Sequence, residues 1–205
     1  MKILAIICLL SSLILTTCNN AGPNLSNPKE STIEELQKRE FESQSFTNEN
    51  FGEFISEIDF KIKTDDLETF QDGIIPWISI EMPEEEIANL VNANEIVLPN
   101  NEVNVVIDYP LNNPVSFKLN NANGFSRATL SLAISTKYKE LYQKEEESAK
   151  IKTLPKTQRK SIANRNQTDG IYGIWGHDIE DLDLGSIQVY KNQKGEIFLA
   201  LDIQS

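Results

Sequence analysis

The chain has 205 residues, and 31 acidic side chains outnumber 19 basic ones for a formal charge of −12. Affinity for phosphates comes mostly from Lys and Arg, so this balance argues against a general nucleic-acid or anionic-lipid binder. One histidine and two cysteines set narrow limits on metal and thiol chemistry.

Met1 and Lys2 precede ILAIICLLSSLIL, a 13-residue apolar run (3–15). A membrane-spanning helix needs ~20 apolar residues, so residues 1–17 read as an export signal. The run closes on Leu15-Thr16-Thr17-Cys18, with Thr17 where Gly, Ala or Ser is usual. This stretch resembles the lipobox of bacterial lipoproteins. The resemblance covers about 18 residues and implies cleavage before Cys18, acylation of Cys18 (palmitate among the chains) and anchoring to the bacterial envelope membrane. The outer membrane is favoured over the inner. The alternative is an ordinary secretory signal with an incidental cysteine. Cleavage removes Lys2 and Cys8, leaving 18 basic against 31 acidic residues, a charge of −13. An acylated Cys18 leaves the mature domain with no thiol for a disulfide, a nucleophile or a metal.

Residues 18–49 predict a flexible, lipid-anchored tether. NNAGPNLSNPKE (19–30) has one large aliphatic residue, Leu25, and too little apolar surface to offset ordering. Ser31 to Glu34 has the form of a capping box opening a short helix through about Phe41. Residues 50–205 are one domain's length, without an internal repeat.

Within the domain, Phe54–Lys63 alternates as a strand, with Ile58, Phe60 and Ile62 on one face. IIPWISIE (74–81) predicts a second strand, placed at an edge or bulge by Pro76. Pro83 and three glutamates open a helix through about Val91, the acids facing the positive end of its dipole. Strands follow at Glu95–Leu98, Glu102–Tyr109 and Val115–Leu119, broken by Pro99 and by Pro110–Pro114. Ser126–Ser148 is the clearest helix, its stripe of Leu130, Ile134, Tyr138, Leu141 and Tyr142 spaced by three and four. Leu184–Tyr190 and Glu196–Ile203 form a closing hairpin around Gly195. The expected fold class is therefore α+β: a mainly antiparallel sheet of about six to seven strands with the 126–148 helix packed on one face.

Two segments remain. Residues 149–169 hold six basic residues (Lys150, Lys152, Lys156, Arg159, Lys160 and Arg165) against one acid, Asp169. A connection this long is uncommon in a compact domain and often functional, so these cations are candidates for partner binding. The plain alternative is a solvated loop. Residues 164–188 then hold His177, Trp175, three glycines within seven residues (Gly170, Gly173 and Gly176) and a run of carboxylates.

Two readings of that run stand side by side. In one, His177 with Asp178, Asp181 or Asp183 forms a metal or acid–base site. In the other, Trp175 and Tyr172 fill the core and Asp178 caps a helical turn at 179–182. No nucleophile motif, Walker loop or G-x-G-x-x-G is present, so no cofactor is expected.

The function expected is that of a non-catalytic binding or structural module with a protein or envelope-polymer partner. The alternatives are an envelope hydrolase or metal-dependent enzyme centred on His177, Asp178 and Asp181, and an inhibitor or immunity-type protein whose acidic surface steers a basic partner.

Overall fold

The computed structural model of the chain describes residues 34–35, 37–39, 51–159 and 165–205. The signal, Cys18, Lys160 and most of the 18–49 tether lie outside them. Residues 34–35 and 37–39 are helical and fall within the short helix predicted there.

In chain order the strands are β1 (Glu53–Asp59), β2 (Ile62–Lys63), β3 (Ile74–Ile75), β4 (Ile78–Ser79), β5 (Ile96–Leu98), β6 (Glu102–Ile107), β7 (Val115–Asn120), β8 (Phe125–Ser126), β9 (Asp183–Lys191) and β10 (Ile197–Gln204). Helix α1 (Pro83–Glu86) follows β4, and α2 (Arg127–Ser148) follows β8 directly. The main sheet runs β1-β9-β10-β6-β7, with β4 also joining β9. Its neighbours are antiparallel except β10 and β6, which are parallel. A parallel neighbour needs a long crossover, and α2 with the connection to β9 supplies it.

Three predicted elements are shorter than their patterns suggested. The 54–63 strand ends at Asp59, and β2 pairs with β3 in a separate ribbon. The cause lies on β9: Asp202 faces Ser186 and Ile203 faces Leu184, so Gly185 is an extra, bulged residue. The Gly185 carbonyl accepts from Phe60 N–H at 2.9 Å, and beyond it β4 replaces β1 as the partner of β9. Pro76, which has no N–H to donate, splits 74–81 into β3 and β4. The helix at Pro83 gives one α-turn and then a 3₁₀ turn at Ile87–Asn89.

α2 begins where its cap chemistry is strongest. Ser126 is extended, its Oγ accepts from Thr129 N–H at 3.2 Å, and Thr129 Oγ1 accepts from Ser126 N–H at 2.8 Å. Leu130, Ile134, Tyr138 and Leu141 are buried along one stripe. They join the inward residues of the sheet, among them Ile187, Leu199, Val105 and Ile107, in one core. Each such side chain contributes about 1.5–3 kcal/mol through burial. The helix stops at Ala149, which is extended.

Candidate functional site: the glycine-rich segment

Glu145, in the last turn of α2, is fully buried. Its carboxylate accepts from Thr168 Oγ1 (2.5 Å), Gly170 N–H (2.8 Å), Tyr172 N–H (2.8 Å) and Gly173 N–H (3.1 Å). Burial pushes its pKa up, but the hydroxyl and the three amides outweigh burial and hold the group below its ordinary value. A Cβ on Gly170 would sit 2.5 Å from Glu145 Oε2 and 2.7 Å from the Glu145 carbonyl. Glycine here is a condition of that approach.

The opposite side of the segment is held by the turn after β6. Asn112 and Asn113 N–H both reach the Tyr172 carbonyl, at 3.1 and 3.0 Å, and Asn113 Nδ2 donates to Ile171 O. Leu111 and Ile174 form an isolated bridge. Gly173 turns through φ +65 against Asn112, a conformation that disfavours a side chain.

His177 is half-buried, its ring 5.6 Å from Tyr109 and 6.2 Å from Trp175. Trp175 is buried edge-to-face on Tyr109 at 5.3 Å, and the guanidinium of Arg39 lies over its ring at 5.5 Å. Tyr142 hydroxyl donates to the His177 carbonyl at 2.9 Å, and Tyr138 hydroxyl to the Tyr109 carbonyl at 2.8 Å. The tyrosine pair of α2 thus fixes the backbone of His177 and that of Tyr109, whose ring lies against it.

Asp178 is held from elsewhere in the chain. Arg159 donates to both of its oxygens (2.5 and 3.1 Å), and Arg165 Nε lies 3.5 Å from Oδ1. Both arginine side chains are at least 96% buried, with exposures of 4% and 3%. Burial lowers the Arg165 pKa, yet the guanidinium is compensated by Asp178, by Thr153 Oγ1 (2.6 Å), by the Ile174 carbonyl and by the Tyr142 ring. Asp178 also takes the N-cap of a 3₁₀ turn at Ile179–Asp181, and Asp181 Oδ2 accepts from its N–H at 2.9 Å.

Asp183 lies apart, at the start of β9 opposite Ser79. Burial, then the nearby Glu86 carboxylate, raises its pKa to about 6. Glu86 itself accepts from Ser79 N–H at 2.7 Å. Among the described residues no group of three or more His, Cys, Asp or Glu side chains is arranged to hold a metal ion.

The basic candidates divide. Arg159 and Arg165 are interior counter-ions of Asp178, whereas a partner-binding role needs surface cations. Lys150, Lys152 and Lys156 are exposed. Lys152 donates to the Glu146 carbonyl and Lys156 pairs with Glu180. The backbone around them is tied down: Asp169 accepts from Lys150 and Ile151 N–H (2.8 and 2.6 Å), and buried Asn166 accepts from Leu154 N–H (2.7 Å).

Glu145 gave no signal in the sequence, where it sits in a run of glutamates with the look of a solvated helix end. Compared with protein-family models, with curated proteins and with solved structures, the chain shows no match.

Proposed function

We propose that this chain is an exported bacterial envelope protein, anchored by lipid on Cys18, whose domain is a non-catalytic binding module. One observation carries the second half of that reading: the bidentate hold of Arg159 on Asp178. Asp178 is the carboxylate adjacent to His177, and a general base or metal pair would need it turned toward a reacting group. It is instead bound inward by two arginines. The anchoring half is supported by the 1–18 signal and its cysteine. An acyl chain adds ~0.8 kcal/mol per buried CH₂, which makes lipid the dominant membrane contact.

Fractionation of cells carrying Cys18→Ala tests the anchor. The variant should leave the membrane fraction; its retention after a salt wash would reject lipid anchoring. Thermal melts of the wild type with EDTA, Zn²⁺ and Ca²⁺ test the domain. No metal should raise the melting temperature, and a rise abolished by His177→Ala would reject the non-catalytic reading.

A further inference from the structure

The face of the main sheet opposite α2 carries a second arrangement, readable from strand register. Phe54, Tyr190 and Phe198 are direct neighbours across β1, β9 and β10, and Asp59, Ser186 and Asp202 form another such row. Side chains two apart on a strand share a face, so both rows lie on the same side. At one end, Phe51 stacks on Phe198 (5.7 Å) and Phe54 meets Tyr190 edge-to-face (5.7 Å). Phe54 is about half exposed, at 53%. Exposed apolar groups clustered in this way mark interaction surfaces.

At the other end the sheet forks, where β1 leaves β9 at Gly185 and β4 replaces it. The fork opens a cleft of ≈ 310 Å³ lined by Gly185, Ser186 and Trp77, by the carboxylates of Glu57, Asp59 and Asp202, and by Lys61. Glu57 accepts from Ser186 Oγ at 2.7 Å, and Asp59 pairs with Lys61 at 2.8 Å. All three carboxylates are exposed. With Asp59 matched by Lys61, the carboxylates of Glu57 and Asp202 beside the indole of Trp77 suit a guanidinium or ammonium, which gains from both charge and ring face.

We propose that this face docks an extended segment of a partner protein, with an Arg or Lys side chain in the cleft and an apolar residue on the aromatic end. The proposal rests on the reading of the domain as a binding module and gives its partner a chemistry. Phe198 and Asp202 are four residues apart on β10, about 13 Å at ~3.3 Å per residue. An extended partner therefore presents its cation and its apolar residue about four positions apart. The domain's acidic charge favours the same partner through steering.

The probe is the peptide acetyl-Arg-Ser-Thr-Ser-Phe-amide, titrated calorimetrically into the full chain in nonionic detergent. Glu57→Gln/Asp202→Asn should weaken binding at least tenfold, and Trp77→Ala at least fivefold. Glu84→Gln/Glu85→Gln removes equal charge from α1 and should change affinity less than twofold. The proposal is overturned if the wild type fails to bind at millimolar peptide, if the α1 variant loses as much, or if the same peptide with Glu in place of Arg binds equally well. A concentration-dependent dimer that excludes the peptide would make a second copy the occupant and overturn it too. Membrane fractionation of the cleft variant should stay as in the wild type, so failure here is distinguishable from failure of the anchored-module reading.

Discussion

Two carboxylates show opposite responses to burial. Glu145 is stabilised in its ionised form by four donors, so its pKa is held down. Its contribution is complete above the ordinary carboxylate range, ~4.3 for Glu, and is lost as pH falls through the lower folded value. Glu145→Gln sets an amide NH₂ against backbone N–H groups and should cost about 3 kcal/mol, since each unsatisfied buried donor costs ~1–3. That corresponds to a drop of roughly 6–12 °C in melting temperature for a domain of this size. Asp183 is the reverse case: burial and Glu86 raise it to about 6. Its contribution is complete below the unfolded value, ~3.9, and is lost as pH rises through about 6. Asp183→Asn should therefore stabilise the domain at pH 7 by about 1–2 kcal/mol, allowing for solvent screening at a half-buried site, with no gain at pH 4. Urea melts at the two pH values measure this, and equal effects at both would contradict the assignment.

At the scale of elements, the glycine-rich segment is clamped between the end of α2 and the turn after β6. Gly170→Ala tests the clamp, because its Cβ would meet Glu145 backbone as well as side chain. Overpacking of this kind costs about 1–3 kcal/mol, and an unchanged denaturation midpoint would mean the approach is loose. Asp178→Ala leaves two buried guanidinium groups without their carboxylate and should cost about 3–5 kcal/mol. A catalytic Asp178 would instead tolerate removal with the fold intact.

Part of this was legible in the sequence. The α2 stripe repeats every three to four residues and Ser126 caps it, so local pattern alone locates the helix. Bulky Trp175 among glycines pointed to a core anchor, and it is one. The Arg159–Asp178 pair was not legible, since the partners stand 19 residues apart: Arg159 read as a partner-binding cation, and Asp178 as a metal, acid–base or capping carboxylate. Burial of Glu145 depends on amides delivered 25–28 residues later, so nothing near it in the chain announces the role. The fork at Gly185 was hidden for a similar reason. A strand that changes partner keeps its own alternation, and only the pairing reveals the bulge.

For the whole molecule, the consequence is that chemistry and architecture separate. The region richest in reactive side chains, His177 with Asp178 and Asp181, is bound into the core around α2. The open sheet face, with its aromatic row and acid-rimmed cleft, is where we propose that a partner docks. Arg39, from the helical residues 37–39, lies over the Trp175 ring. Residues 165–183 are held as part of the folded domain and do not form a mobile loop. Native-state hydrogen exchange of the Gly170, Tyr172 and Gly173 amides, all bound to Glu145, measures this most directly. Opening free energies for all three should lie close to that of global unfolding and fall together in Glu145→Gln. Exchange at near-unprotected rates in the wild type, unaltered by that substitution, would contradict it.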